Sequence, residues 1–132
     1  MNDSKIVWLR RVLLFKVIVT FAMWGLPTLV GPAAFLALFG IDVPAEPIFL
    51  RLFGAVVTAF GVAYWLAYRA PVKNAVVVKV GIVDNGLVTL TIIALGLTAG
   101  VTNAFIWISA ALTTFFCVAF SVLLPREAKT SP

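Results

Sequence analysis

The chain of 132 residues has no histidine and one cysteine, Cys117. Without imidazole it lacks the usual ligands of zinc and haem sites and the base of a His-centred triad. A lone thiol makes neither an internal disulfide nor a Cys-x-x-Cys redox pair. Charge is scarce as well: Asp, Glu, Lys and Arg make up 11% of the residues, ten basic side chains against five acidic. Soluble domains carry about 25% charged residues. What fills the chain instead is apolar, 63% of all residues, with a mean hydropathy of +1.13. A chain this short cannot bury so much apolar surface within itself, so its solvent is lipid.

A helix needs about 20 apolar residues to cross the hydrocarbon core. Charges and turn residues divide the sequence into four stretches of that size, residues 12–30, 48–68, 75–97 and 104–124. Gly31 and Pro32 close the first, Pro44 and Pro47 precede the second, Arg69 to Pro71 follow it, and Pro125 ends the fourth. None shows the alternation of a barrel strand. Residues 33–40 are too short to span and precede an acidic, Pro-rich stretch, which predicts a short interfacial helix capping one end. The predicted fold is all-α: a polytopic, antiparallel four-helix transmembrane bundle forming a single domain over residues 1–132. Arg10 and Arg11 before an apolar run resemble a signal sequence, but Lys16 interrupts the run and no small-x-small cleavage site follows. The first span is read as uncleaved.

Basic residues are retained on the cytoplasmic side. With the N-terminus inside, Lys5, Arg10, Arg11, Lys16, Arg69, Lys73, Lys79, Arg126 and Lys129 lie at or near that boundary, and Arg51 alone lies at the outer one. Asp42 and Glu46 fall in the outer loop. Both termini are expected in the cytoplasm. The net charge of +5 then reports topology, so no nucleic-acid partner is expected.

Helices in lipid pack through small and polar residues. Stripes of these run along each span: Lys16, Thr20, Met23 or Trp24 and Pro27; Arg51, Gly54, Thr58, Gly61, Trp65 and Tyr68; Gly81, Asp84, Val88 and Thr91; Asn103, Trp107, Ala110, Thr114, Cys117 and Ser121. They serve either as packing surfaces or as the lining of a cavity for a small hydrophobic molecule. Trp8, Trp24, Tyr64, Trp65 and Tyr68 are expected as interfacial anchors, and Cys117 as a packing residue. Gly96 and Gly100 have GxxxG spacing but end in a turn.

Asp84 is the most informative residue. It sits about ten residues into the third span, near mid-membrane at about 1.5 Å per residue, where a carboxylate costs about 2.5 to 3.5 kcal/mol to insert. It is either a functional acid or half of a structural pair, with Asn85 as a second polar link. Among its partners Lys79 is five residues back on the same helix and points elsewhere. Lys16 and Lys79 are expected to reach headgroups, leaving Arg51 as the better inward-facing partner. Unpaired, Asp84 would be a proton carrier. The ligand or proton site is therefore drawn from Asp84, Asn85, Arg51, Thr58, Tyr64 and Lys16, with no catalytic residue, metal or cofactor assigned.

The segment from Pro32 to Gly40, then Phe49, Leu50, Arg51, Leu52, Phe53 and Gly54 opening the second span, with Gly61, Tyr64 and Pro71 after them, resembles the small four-span BphX-like and DoxX-like membrane proteins. The likeness covers the first two spans and the loop between them. It implies a four-helix bundle in a bacterial inner membrane, in families associated with aromatic-compound degradation or with redox and sulfur metabolism, often as accessory subunits. It carries over no catalytic residues and has no place for Asp84 and Asn85. The leading functional expectation is a non-enzymatic accessory or assembly subunit, or a binder of a small hydrophobic molecule within the bundle. Its partners would be the lipid bilayer and other membrane subunits or further copies of itself. The alternatives are a dimeric proton- or ion-coupled transporter using Asp84, and an oxidoreductase subunit whose redox centre lies on a partner.

Overall fold

The computed structural model describes residues 3–125. Arg126 and Lys129, counted above toward the cytoplasmic face, lie outside the described residues. The chain is all-helical among those residues, and four of its helices are long and apolar enough to cross a membrane.

The first span runs Asp3–Val30 and is built from α1 (Asp3–Val19), a π-helical stretch (Thr20–Gly25) and α2 (Leu26–Val30). It starts well before the expected boundary: at about 1.5 Å per residue its 28 residues reach roughly 42 Å, beyond a hydrocarbon core of about 30 Å. The π turns have a local cause in Pro27, which has no N–H to offer the preceding turn and whose ring crowds the carbonyl four residues back. The ladder widens ahead of it, and the Leu26 N–H reaches the carbonyl of Phe21, five residues away. Gly31 is extended, as the residue before a proline prefers, and the helix stops there.

The interfacial segment appears where expected, as α3 (Ala33–Ala37) with a turn to Gly40. Gly40 has φ +66°, a conformation that glycine adopts without strain. The Asn103 amide donates to Phe39 O at 3.1 Å and Gly40 O at 3.0 Å, and its oxygen accepts from the Phe105 N–H at 2.8 Å as the N-cap of the last helix. One side chain thus pins the segment to the bundle, with Leu36 buried beneath it.

The remaining spans are α4 (Ile48–Arg69), α5 (Ala75–Thr98) and α6 (Ala104–Leu123). In the turn at 70–74, Asn74 donates to Leu66 O at 3.1 Å and Ala70 O at 3.0 Å, serving carbonyls that the end of α4 leaves open. The first span packs on α4 and α6, and α5 packs mainly on α6. Consecutive in sequence, α4 and α5 nevertheless make the slightest contact of the neighbouring spans. The bundle is therefore a horseshoe open between those two. Leu9, Leu13, Val17, Ala67, Val78, Phe116 and Phe120 fill the core at the end that carries the 70–74 turn, while Ile18, Val62, Val83, Leu87, Leu90 and Val122 face outward, as lipid requires.

Glycines set the closest approaches. Gly54 lies directly on the backbone of Thr28 and Leu29, where a Cβ has no room. Gly86 has only Cys117 Sγ at 3.5 Å from where a Cβ would stand, an ordinary contact. Thermal unfolding in detergent should separate the two: Gly54→Val is expected to lose about 2 kcal/mol or more through forced separation of α2 from α4, whereas Gly86→Ala stays within about 0.5 kcal/mol of the parent. Equal effects would refute the packing assignment.

Candidate functional site

Lys16 is 3% exposed. An ammonium inside an apolar bundle carries a large desolvation cost unless something replaces its water, and here four side chains do. Nζ donates to Asn85 Oδ1 at 2.6 Å. Around it stand Phe116 at 4.6 Å, Trp24 at 5.0 Å and Tyr64 at 5.2 Å to the ring centroids. Aromatic faces attract a cation, by about 2 kcal/mol or more each when desolvated. Lys16 and Trp24 belong to the first span, Tyr64 to α4, Asn85 to α5 and Phe116 to α6. The rings are themselves held: Tyr64 stacks on Phe120 at 5.9 Å, and Trp24 Nε1 donates to Ser109 Oγ at 2.9 Å. Tyr64 approaches α5 closely because residue 81 is glycine; a Cβ there would meet both Tyr64 and Phe120 at 3.0 Å.

Asp84 stands beside this cage, tied to it through Tyr64. The Tyr64 hydroxyl donates to Asp84 Oδ2 at 3.2 Å and accepts from Asn85 Nδ2 at 3.4 Å, and the same Nδ2 also donates to Gly81 O at 2.6 Å. A continuous hydrogen-bonded chain thus runs from Lys16 through Asn85 and Tyr64 to Asp84. One turn along the first span from Lys16, the buried Thr20 hydroxyl has no hydrogen-bond partner among the described residues.

The polar chain forms one end of a chamber of about 400 Å³. Trp24, Thr28, Ser109 and Thr113 make its back wall; Leu50, Phe53, Val57 and Phe60 of α4 form one flank, and Asp84, Asn85, Val88 and Ile92 of α5 the other. Phe53 is 51% exposed and Val88 37%, so the opening lies between α4 and α5, toward lipid. Ile41 and Phe105 close the end near α3. The arrangement suits a small, mostly apolar molecule with one polar group.

No protein-family model, curated protein or solved structure matches the chain. The site therefore has to be judged on its own geometry.

Of the residues proposed from sequence, Lys16, Tyr64, Asp84 and Asn85 come together and Arg51 and Thr58 do not. Arg51 Nη1 donates to Thr28 O at 3.0 Å, a carbonyl exposed where the first span breaks before Pro32, so it is not the partner of Asp84. Thr58 donates to Gly54 O of its own helix at 2.7 Å and packs near Gly25. The expectation that Lys16 reaches headgroups is corrected by its burial, whereas Lys79 is exposed on α5. Trp24 and Tyr64, taken as interfacial anchors, turn inward to the cage. Phe116, Ser109 and Thr113 were missed because α6 has two packed faces: Trp107, Thr114 and Cys117 of the expected stripe meet α5 at Gly96, Thr89 and Ile82, and Ala110 is buried, whereas Ser109, Thr113, Phe116 and Phe120 fill the adjoining interior face and Ser121 of the stripe lies open.

The Lys16–Asn85 bond makes a coupled pair. Asn85→Leu leaves the ammonium without its acceptor and is expected to cost about 3 kcal/mol, as would breaking other buried charged pairs. Combining it with Lys16→Met removes the stranded charge, so the double variant should be more stable than the sum of the single losses predicts, by about 1.5 kcal/mol or more. Chemical unfolding of the four proteins in detergent measures this, and additive losses would remove the pair from the account.

Proposed function

We propose that the chain is a multi-pass protein of a bacterial inner membrane that holds a small, mostly apolar molecule in the chamber between α4 and α5. The observation that carries this reading is the chamber itself: a largely apolar space of about 400 Å³ with Lys16, Asp84 and Asn85 at one end and its mouth toward lipid. The molecule would come and go laterally through the bilayer. The distribution of Lys and Arg supports cytoplasmic termini, which puts the cage nearer the cytoplasmic face and the α3 cap outside. The short connections carry no separate catalytic domain, and the side chains at the chamber's polar end bind and orient without an evident nucleophile-and-base pair.

Native mass spectrometry of protein extracted gently from its own membrane tests the reading. A bound species of roughly a dozen non-hydrogen atoms is expected, from the chamber volume at about 30 Å³ per atom-sized unit. Val88→Trp, which fills the mouth, should remove it with little change in thermal stability. A wild-type chain that carries nothing, and whose melting temperature no added apolar compound moves, would refute it.

The hydrogen-bonded chain from Lys16 to Asp84 favours a second reading, a carrier that couples its molecule to a proton at Asp84. Under that reading Asp84→Asn abolishes proton-driven uptake into vesicles; flux that continues unchanged in the variant excludes the coupling.

A further inference from the structure

The inference that follows rests on the chamber reading and names the chemistry of the occupant. Most polar groups on the chamber wall are already committed. Thr28 donates to Trp24 O, Ser109 donates to Phe105 O at 2.8 Å while accepting from Trp24, and Thr113 donates to Ser109 O at 2.9 Å. Asn85 uses its oxygen on Lys16 and its nitrogen on Gly81 and Tyr64. The hydroxyls have spent their one donor and keep only neutral acceptor lone pairs, whereas the two charged groups keep capacity. An ammonium has three N–H donors, and Lys16 gives one to Asn85 with only ring faces around the others. Asp84 accepts from Tyr64 through Oδ2, and no donor among the described residues reaches its Oδ1.

A ligand that completes the site must therefore accept from an ammonium and donate to a carboxylate. Charge narrows the choice. Lys16 and Asp84 balance each other, so a carboxylate ligand would add a second anion beside Asp84 and an amine a second cation beside Lys16, each costly in a medium of low dielectric. A ketone or ether satisfies Lys16 and leaves Asp84 as it was. A hydroxyl group is neutral and does both. We propose that the chamber takes a neutral apolar alcohol whose hydroxyl accepts from Lys16 and donates to Asp84, with its hydrocarbon part lying along Val57, Val88 and Ile92. At about 30 Å³ per non-hydrogen atom, a volume of about 400 Å³ holds roughly a dozen of them.

The probe is tritium-labelled 1-decanol, bound to the full chain in lipid nanodiscs and counted above empty discs, with unlabelled decane, decanoate and decylamine as competitors. Saturable binding of one 1-decanol per chain is expected, with each competitor about tenfold weaker or more, the worth of one hydrogen bond to a charged group. Asp84→Leu and Lys16→Met should each lower 1-decanol affinity about tenfold while leaving that of labelled decane unchanged. Decane competing as well as 1-decanol would overturn the hydroxyl assignment and leave the chamber standing. Decanoate or decylamine binding more tightly than 1-decanol would likewise overturn it, showing that Lys16 or Asp84 acts alone. Absence of saturable binding by every compound would remove the chamber reading together with this one. The competition series on the wild-type chain decides among these outcomes even where a variant fails to fold.

Discussion

The ammonium of Lys16 is a point at which side chains of all four spans meet. Removing a cation from water and from headgroups is tolerable only where donors and faces of the right sign replace them, and here each span supplies part of the replacement. A shift of any helix by one turn would take a ring or the Asn85 oxygen out of reach. In a bundle whose helices are otherwise held by undirected van der Waals packing, this directional requirement sets relative depth and rotation. The local sequence features of the helices answer to it. Pro27 produces the π turns that carry Trp24, and glycine at 81 brings Tyr64 against α5.

The chamber follows from the same constraints. At the end near the 70–74 turn, Tyr64 joins α4 to α5 through Asp84 and Asn85. Toward α3 the two helices are drawn apart, because each is fastened to a different neighbour. Gly54 seats α4 on α2, and Arg51 clamps the open carbonyl of Thr28. On the other side Gly96 lies under the Trp107 ring, and Thr89 bonds Thr113 at 2.8 Å, holding α5 to α6. Two helices tied at one end and fastened to separate neighbours at the other must leave a gap. Its polar end is the tie itself.

The spans were legible in the sequence because length and charge are one-dimensional properties: prolines, basic residues and, between the last two spans, Gly100 to Asn103 bracket the apolar runs, and the observed bounds depart little except at the start of the first helix. That exception explains why the site was only half legible. With a span beginning at residue 12, Lys16 lies within reach of headgroups. With a helix beginning at Asp3, it lies roughly 20 Å along the axis, well inside the bundle, where Asn85 accepts its bond. The burial of Lys16 was therefore hidden by a boundary error. The role of Arg51 was hidden differently, since its acceptor is a main-chain carbonyl freed by a proline on another helix. The expected stripe on α6 is its seam with α5, through Trp107, Thr114 and Cys117; the adjoining interior face was hidden because Thr113 and Thr114 are adjacent and chemically alike, so composition does not say which one points to the core.

A purely structural account of the caged lysine leaves the gap unexplained. A gap of about 400 Å³ left empty would forfeit the contacts of the side chains that line it, and closing α4 onto α5 would recover them. The mouth faces lipid, so an acyl chain is the default filler. Methylene groups suit Leu50, Val57 and Ile92 but give nothing to the polar end, where they would cover Lys16 and Asp84 without a hydrogen bond to either. Covering a polar group with hydrocarbon costs more than covering it with a partner. The gap therefore discriminates against the molecule most abundant at its mouth and in favour of one that is apolar along its length and polar at its tip.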